Sequence, residues 1–304
     1  MILLNGCIMP KPENIDPDAS LHEAYSGYFD IGVAVGVTQL TSSTKILTRH
    51  FNKLTAENAM KAGPIHPLEN TFTFAQADAI VDFAEKNGKT VSGHTLVWHN
   101  QQPTWLFRDG SSQVSEEVLS QRLKDHITTI VTRYQDTVDN WDVVNEAISD
   151  TEGKTYRDGS EGSQWYDIFG DQEYISLAFQ YADQADPEAD LYYNDYNAVI
   201  PSKRDKIISM VRWLSKEGVR IDGIGMQGHW NLEWPSLADV EAALDAYAAE
   251  GLMVKISELD ISIYNDYPAG TFDPEKEKEF TDALERRQAK RYKDLFALFR
   301  RKKE

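Results

Sequence analysis

The stretch Val138-Asp139-Asn140-Trp141-Asp142-Val143-Val144-Asn145-Glu146-Ala147 is the most informative part of the chain for the fold. Its apolar, β-branched residues predict a buried strand, and its carboxyl-terminal end carries the polar pair Asn145 and Glu146. A polar, glycine-containing loop follows at 149–165, and a helical pattern comes next. A strand, a loop and a helix in this order form the unit of parallel α/β folds.

The same alternation extends from about residue 29 to the end of the chain. Six further candidate strands lie at 29–36, 50–57, 89–98, 190–195, 222–229 and 252–260. Helical patterns lie at 75–87, 114–134, 172–185, 201–217, 236–250 and 275–300. The fold class is therefore predicted to be α/β, with the strands and helices of a single (β/α)8 TIM barrel.

The number of strands carries a further expectation. A closed (β/α)8 barrel needs eight strands, whereas seven precede the helical stretch at 275–300. We therefore expect the eighth βα unit to be missing from the chain, either removed from a longer protein or supplied by a separate polypeptide. Residues 1–25 contain three prolines and are expected to form an irregular lead-in, and residues 26–304 a C-terminally incomplete catalytic domain.

The charge of the chain excludes several classes of function. Asp and Glu number 49 against 31 Lys and Arg, which gives a formal net charge of -18. Such a surface repels phosphate backbones, and no basic stripe interleaved with aromatic residues is present, so nucleic acid is not an expected partner. No apolar run is long enough to cross a bilayer, so no membrane span is expected.

The single cysteine bears on location. Cys7 alone allows neither an internal disulfide nor a multi-cysteine metal site. Leu4-Asn5-Gly6-Cys7 resembles the lipid-attachment box of bacterial lipoproteins, although four residues also match by chance. We expect an exported protein, whether secreted, periplasmic or anchored through lipid at Cys7, with its export segment absent from the sequence, and a cytoplasmic location is the alternative.

Two candidate strands end in carboxylates. Glu146 closes one, and Glu258 lies near the end of Leu252-Met253-Val254-Lys255-Ile256-Ser257-Glu258-Leu259-Asp260. Alternation along this strand predicts that Val254, Ile256, Glu258 and Asp260 share one face, with the apolar pair deep in the barrel and the two carboxylates at its mouth. Two carboxylates at separate strand ends are the minimum equipment for glycoside hydrolysis, and a structural ion pair is the alternative, above all for Asp260.

Other strand ends supply groups suited to binding a sugar: His94, Trp98, His99, Gln101, Gln227 and His229. A metal site would be a competing use of the histidines, but His94 and His99 fall on opposite faces of a strand and no HExxH pattern is present. The chain also lacks the G-x-S-x-G elbow of serine hydrolases and the G-x-G-x-x-G pattern of dinucleotide sites. Neither a metal nor a cofactor is therefore expected.

Six strings in order resemble the family 10 glycoside hydrolases. They are TAENAMK (55–61), GHTLVWHNQQPTW (93–105), WDVVNEA (141–147), YYNDYN (192–197), GIGMQGHW (223–230) and ISELDIS (256–262). Each string alone is modest evidence, but six in the same order are specific. The resemblance implies a retaining endo-β-1,4-xylanase that acts on xylan and xylo-oligosaccharides without a cofactor.

The resemblance also implies roles for single residues. Glu146 would be the general acid/base, Glu258 the nucleophile, and Asn145 the partner of the sugar 2-hydroxyl. His229 would hold Glu258, with Gln227 beside it. Six more residues match positions that line the glycone subsites: Glu57, Asn58, Lys61, His94, Trp98 and Gln101. Without the resemblance, Trp98 would be interpreted as a core aromatic residue, His94 as a buried structural histidine and Lys61 as a solvated charge.

One departure and several alternatives remain at this point. Ala62-Gly63-Pro64 stands where members of the family often have a tryptophan, which leaves the distal glycone cleft open to question. A different retaining β-glycanase, such as a cellulase or mannanase, would share both glutamates but not this run of strings. A non-catalytic xylan-binding protein is a further alternative, and the presence of both glutamates argues against it.

Overall fold

The structure is a computed structural model that describes residues 19–263 and 280–302. Cys7 and the segment that resembles a lipid-attachment box lie outside the described residues. The short helix Leu21–Tyr25 lies in the stretch that was expected to be irregular. None of the helices in the described ranges is long and apolar enough to cross a membrane.

The strands are, in chain order, β1 Gly32–Val35, β2 Lys53–Ala56, β3 Thr90–Val97, β4 Arg108–Asp109, β5 Ser112–Gln113, β6 Val138–Asn145, β7 Asp190–Asp195, β8 Gly223–Met226, β9 His229–Asn231, β10 Met253–Ile256 and β11 Asp260–Ser262. Seven of them form one parallel sheet in the order β1-β2-β3-β6-β7-β8-β10, so that neighbours in the sheet follow one another along the chain. This is the strand order of a (β/α)8 barrel, and the predicted fold class is confirmed. The described residues do not cover the whole chain, so the absence of an eighth βα unit stays a prediction.

The helices are α1 Leu21–Tyr25, α2 Gln39–Ser42, α3 Thr44–His50, α4 Ala62–Ile65, α5 Ala75–Lys86, α6 Glu116–Arg133, α7 Gln164–Phe169, α8 Glu173–Ala185, α9 Pro201–Lys216, α10 Leu237–Ala249 and α11 Asp282–Arg301. Their starts follow local chemistry. Proline occupies the first turn of α9, and α10 begins with a capping box between Ser236 and Asp239. The five helices predicted between strands are confirmed to within about two residues.

Close packing between strands depends on particular side chains. Gly93 on β3 pairs with Trp141 on β6, and a Cβ atom at Gly93 would lie only 2.2 Å from the Trp141 ring. Trp141 is fully buried, so the bulky ring uses the space that the glycine leaves. This contact fixes the spacing of two strands that both end in the cleft.

The sixth and seventh strand segments are interrupted, which the sequence did not predict. β8 ends at Met226, Gly228 adopts a φ of +81°, and β9 then pairs with β11 in parallel, with His229 opposite Asp260. The interruption brings His229 and Asp260 side by side. These two residues flank the seventh strand's glutamate in the cleft.

The predicted alternation along the seventh strand is wrong. Lys255 Nζ lies 2.8 Å from Asn140 Oδ1 and 3.2 Å from Ser92 Oγ, on strands β6 and β3, neither of which is a sheet neighbour of β10. The lysine side chain therefore crosses the inside of the curved sheet, in place of Val254 and Ile256. The irregular backbone at 257–259 restarts the alternation before Glu258, which still reaches the cleft.

Candidate active site

Glu146 lies directly after β6, where the strand turns into the following loop. Its φ of +56° is unusual for a residue with a side chain, and such a conformation needs support from its surroundings. The backbone N–H of Glu146 donates to Asn194 O at 2.9 Å, and its carbonyl accepts from Arg157 Nε at 3.1 Å. These two bonds fix the turn that directs the carboxyl group into the cleft.

Neutral groups hold the Glu146 carboxyl. Trp98 Nε1 donates to Oε2 at 2.8 Å, and Gln227 Nε2 donates to Oε1 at 2.9 Å. Glu146 itself is partly exposed. Both hydrogen-bond donors to the Glu146 carboxyl are therefore uncharged.

Glu258 has a different set of partners. Asn194 Nδ2 donates to Oε1 at 2.9 Å, and His229 Nε2 lies 3.2 Å from Oε2. Burial by itself raises the pKa of Glu258, but the hydrogen bond from His229, the charge of His94 and the hydrogen bond from Asn194 together bring that pKa below its usual value. Glu258 is therefore an ionised carboxylate at neutral pH.

His229 lies between two carboxylates. Its Nδ1 is 2.8 Å from Asp260 Oδ2, while its Nε2 faces Glu258. Burial lowers the pKa of His229, but hydrogen bonds to Asp260 and Glu258 outweigh it and raise the pKa to about 9. The imidazole is thus a cation at neutral pH, oriented from behind by Asp260.

Asn194 connects the two glutamates and was not singled out from the sequence, although it lies in the string YYNDYN. It is fully buried at the end of β7. Its Nδ2 donates to Glu258 and also to Asn145 Oδ1 at 3.0 Å, and its own Oδ1 accepts from Ser257 Oγ at 2.6 Å. Its position as a polar residue near the end of a buried strand was the feature of the sequence that could have identified it.

The predicted glycone residues on β3 and in the loop after β2 meet beside the two glutamates. Lys61 Nζ lies 5.1 Å from the centroid of the Trp98 ring and donates to Asn58 Oδ1 at 3.1 Å. Burial lowers the pKa of Lys61, against the raising effect of the negative charges of Glu258, Glu57 and Glu146. Lys61 therefore lies within the field of both strand-end glutamates.

Gln101 contacts the segment Ala62-Gly63-Pro64, which stands where members of the family often have a tryptophan, through the backbone. Gln101 is exposed, has a φ of +51°, and accepts from Gly63 N at 2.8 Å through its carbonyl oxygen. A Cβ at Gly63 would lie 2.8 Å from that same oxygen, so the glycine is required for the contact. Ala62 is buried.

His94 is buried below these residues and is held by a group that the sequence did not indicate. Its Nδ1 lies 3.0 Å from Asp142 Oδ2. Burial raises the pKa of Asp142, but Lys255 and His94 together lower it below its usual value. His99, by contrast, has a pKa of about 4, lowered by burial and by the charges of Arg157 and Lys203.

A second buried ionic group lies behind the acid-side glutamate. Lys203 Nζ is 3.0 Å from Asp195 Oδ1 and 3.0 Å from Asp150 Oδ2. Burial raises the pKa of Asp195 to about 7, although Lys203 and a hydrogen bond from Tyr193 oppose that effect. The carbonyl of Asp195 accepts from Gln227 N at 3.0 Å, which fixes the strand end that carries Gln227.

The site is therefore a cleft with two carboxyl groups, one held by neutral donors and one beside a cation, and with an aromatic ring and amide groups around them. Over residues 19–263 and 280–302, no group of three or more His, Cys, Asp or Glu side chains is arranged to hold a metal ion. The arrangement can donate a proton from one carboxyl and deliver a nucleophile from the other.

Comparison with known proteins gives a consistent result. The model of glycosyl hydrolase family 10 matches residues 20–304. Endo-1,4-beta-xylanase B of Paenibacillus barcinonensis is 44% identical over 282 residues, which cover 92% of this chain and 82% of that protein. The endo-1,4-beta-xylanase of Geobacillus stearothermophilus is 43% identical over 290 residues, covering 92% and 82% of the two chains.

Solved structures agree. A Paenibacillus barcinonensis xylanase complexed with a conduramine derivative superposes with a TM-score of 0.87 at 42% identity, over 93% of this chain and 83% of that one. A mutant protein in complex with xylotriose gives a TM-score of 0.87 at 41% identity, over 94% and 85% of the two chains.

Proposed function

Because this chain belongs to glycosyl hydrolase family 10, we propose that it is a retaining endo-β-1,4-xylanase in which Glu146 is the general acid/base and Glu258 the nucleophile. The substrates are xylan and xylo-oligosaccharides. The observation that carries the assignment of roles is the contrast in partners: Trp98 and Gln227 hold Glu146, and His229 holds Glu258.

The first step forms a covalent glycosyl-enzyme. A Glu258 oxygen bonds the anomeric carbon while the glycosidic bond breaks, and Glu146 transfers its proton to the leaving oxygen. Glu258 must start ionised for this step, which agrees with the lowered pKa of its carboxyl group. Glu146 must start protonated so that it can supply this proton.

The second step reverses the roles. Glu146, now a carboxylate, takes a proton from water, the water oxygen bonds the anomeric carbon, and Glu258 leaves as a carboxylate. Two displacements restore the original β configuration. In the free enzyme the pKa of His229 is about 9, above neutral pH, so the released Glu258 carboxylate again lies beside a cationic partner.

The remaining predicted residues would bind the sugar. Asn145, buried beside Asn194, would accept or donate at the 2-hydroxyl, where a hydrogen bond strengthens as charge develops at the ring. The Trp98 ring would give the sugar a flat apolar wall. His94, Lys61, Asn58, Glu57, Gln101 and Gln227 would line the glycone side.

Two measurements test the proposal. Hydrolysis of xylan, carboxymethylcellulose and mannan should be fastest on xylan by a wide margin, and preference for another polymer would support the cellulase or mannanase alternative. Proton NMR at early times should show the β-anomer as the first product. An α-anomer formed first would overturn the retaining mechanism, and binding without turnover would support a non-catalytic xylan-binding protein.

We also propose that the protein works outside the cytoplasm. Xylan is a polymer too large to enter a cell intact, and Leu4-Asn5-Gly6-Cys7 resembles a lipid-attachment box. Metabolic labelling of the source cells with radioactive palmitate should label the protein, and Cys7→Ser should remove the label. An unlabelled protein in the culture medium would favour secretion without an anchor, and activity confined to the cytosol would contradict export.

A further inference from the structure

Lys255 places a positive charge inside the barrel, below the cleft. Its Nζ donates to Asn140 Oδ1 at 2.8 Å and to Ser92 Oγ at 3.2 Å, and it lies 2.8 Å from Asp142 Oδ1. The face of the Tyr192 ring is 4.5 Å away. An ammonium group has three N–H donors, and three acceptors are present, so the site is built for a lysine charge.

Asp142 connects this charge to the cleft. The carboxylate is 2% exposed, with Oδ1 beside Lys255 and Oδ2 3.0 Å from His94 Nδ1. Thr95 Oγ1 donates to the Asp142 carbonyl at 2.8 Å, which fixes the strand at this point. Each carboxylate oxygen therefore has one cationic or ring partner, and three residues from β10, β6 and β3 form one chain of contacts.

His94 is the end of this chain. The contact with Asp142 engages Nδ1, so the orientation of the ring is set from below. The charge of His94 acts on Glu258 and helps to lower the pKa of that carboxyl. A group in the barrel interior can thus influence the reacting carboxylate without contacting the substrate.

We propose that Lys255 is a positioning residue for the hydrolytic reaction, acting through Asp142 to hold the imidazole of His94 in place beside Glu258. The inference rests on the proposed function, since it assigns a part in that reaction. If Lys255 served only to hold strands together, its loss would lower stability and leave the pH dependence of catalysis where it was.

The direction of the expected pH effect follows from the groups around Glu258. Asn194, His229, His94 and Lys61 face it as donors or positive charges, and Glu146 faces it as an acid. Removing the Lys255 charge removes one of the causes that lower the pKa of Asp142 and leaves the His94 ring less firmly oriented. The pKa of Glu258 should then rise, so the nucleophile becomes protonated at a higher pH.

The experiment compares Lys255→Gln and Lys255→Met with Lys255→Arg. Gln keeps a hydrogen-bond donor without the charge, and Arg keeps the charge. Lys89→Met is the matched control, because Lys89 is a buried lysine that donates to the carbonyls of Thr48 and Phe51, with no carboxylate partner among the described contacts. The readout is the acid limb of kcat/KM against pH, measured with an aryl xylobioside.

We expect the two neutral variants to move the acid limb upward by about half a pH unit, which is roughly a three-fold loss of kcat/KM one unit below the limb. In Lys255→Arg the acid limb should stay close to its wild-type position. Lys89→Met should leave the limb unmoved while lowering the melting temperature. An unmoved limb in a folded Lys255→Gln or Lys255→Met protein would overturn the proposal, as would an equal shift in Lys89→Met.

A second measurement separates this inference from the proposed function. Proton–nitrogen NMR of the imidazoles should show a hydrogen-bonded Nδ1 proton on His94, identified by its loss in His94→Asn. That signal should shift in Lys255→Gln and stay in Lys89→Met, whether or not the protein hydrolyses xylan. An unshifted signal in Lys255→Gln would contradict the role of Lys255 even in a fully active xylanase, while an inactive wild-type protein would contradict only the proposed function.

Discussion

At the level of single residues, the two glutamates of the cleft differ in what surrounds them. Trp98 and Gln227 give Glu146 neutral donors, while His229 and Asn194 give Glu258 one cationic and one neutral donor. The sequence assigned the roles only through the resemblance of the family strings. The structure adds a difference in charge, because only Glu258 has a protonated histidine as a hydrogen-bond partner.

Replacing Glu146 with Ala removes the proton donor. Xylan hydrolysis should fall far more than hydrolysis of an aryl xylobioside with a good leaving group, because only the natural leaving oxygen needs the proton. Added azide should yield a β-glycosyl azide. Steady-state kinetics and NMR of the product check both expectations, and an α-azide or equal losses on the two substrates would contradict the assignment.

Replacing Glu258 with Gln removes the nucleophile and little else. Turnover should fall by roughly four or more orders of magnitude while binding of xylotriose is largely retained, because only the covalent step is lost. A 2-fluoro-xylobioside should label Glu258 of the wild-type protein, as peptide mass spectrometry will show. Labelling of Asp260 or Glu233 would overturn the reading of this strand end.

His229 should make stability depend on pH in the alkaline range. Its folded pKa of about 9 lies above the unfolded value near 6.5, so its contribution is fully present below pH 6.5 and is lost as pH rises through 9. Thermal melts of the wild-type protein should therefore fall over this window, and those of His229→Asn should fall less. Equal slopes in the two proteins would contradict this expectation.

The residues that the sequence missed share one property. Each of them supports another residue of the site, and strand alternation alone does not identify such a role. They are Asn194, which contacts Glu258, Asp142, which contacts His94, and Lys255, which contacts Asp142. A supporting residue is defined by its contact across strands that are 48 or more positions apart in the chain, as for His94 and Asp142. Such contacts follow from the curved sheet and not from local sequence.

At the level of elements, the strands of the barrel interior need glycines at defined positions. Gly225 on β8 lies opposite Asn194 on β7, and a Cβ atom there would come within 2.2 Å of Asn194 Oδ1. Gly32 on β1 is a matched control, because its Cβ would meet no atom closer than 3.7 Å. The two glycines therefore separate the effect of a methyl group from the effect of crowding Asn194.

Gly225→Ala should lower both stability and activity, whereas Gly32→Ala should change neither by much. Overpacking should lower the free energy of unfolding by about 1–3 kcal/mol. A displaced Asn194 no longer donates its hydrogen bond to Glu258, which should lower kcat roughly ten-fold. Chemical denaturation and kinetics on an aryl xylobioside check both variants. A Gly225→Ala protein with unchanged kcat would show that Asn194 is not needed to hold Glu258.

The elements that the sequence predicted are those with strong periodic patterns. The helices α5, α6, α8, α9 and α10 and the core of every strand of the sheet lie where they were expected. The short helices α2, α3, α4 and α7, of four to seven residues, and the hairpin β4–β5, with two residues in each strand, were missed because such short segments give too little periodicity. The break at Gly228 was also missed, although it delivers His229 to Glu258.

At the level of the whole molecule, the active site is an assembly of strand ends brought together by the curvature of the parallel sheet. Groups from β3, β6, β7, β8–β9 and the segment between β10 and β11 meet within hydrogen-bond distance. The fold also buries polar pairs outside the cleft. We expect one of these pairs to influence how the stability of the molecule responds to acid.

His66 and His126 form that pair, far along the chain from each other and outside the catalytic constellation. Their Nδ1 atoms lie 3.1 Å apart, the rings are nearly parallel, and the two side chains belong to residues that are 3% and 1% exposed. One shared proton satisfies both Nδ1 atoms, whereas a proton on each would bring two N–H groups into contact. Burial lowers the pKa of His66 to about 4 and that of His126 to about 3.

The whole molecule should therefore lose stability as pH falls below 6.5. Both histidines have folded pKa values below the unfolded value, so the unfolded chain binds more protons and stability decreases from pH 6.5 toward 4, by about 1.4 kcal/mol per pH unit for each proton taken up. Nearby Asp125 favours the charged form of His66 and moderates the effect. His126→Phe should flatten the slope of the unfolding free energy against pH in this window, while His22→Gln, at the surface helix α1, should leave it unchanged. Guanidinium denaturation at a series of pH values measures the slope, and a His126→Phe protein as sensitive to acid as the wild type would place the acid-labile group elsewhere.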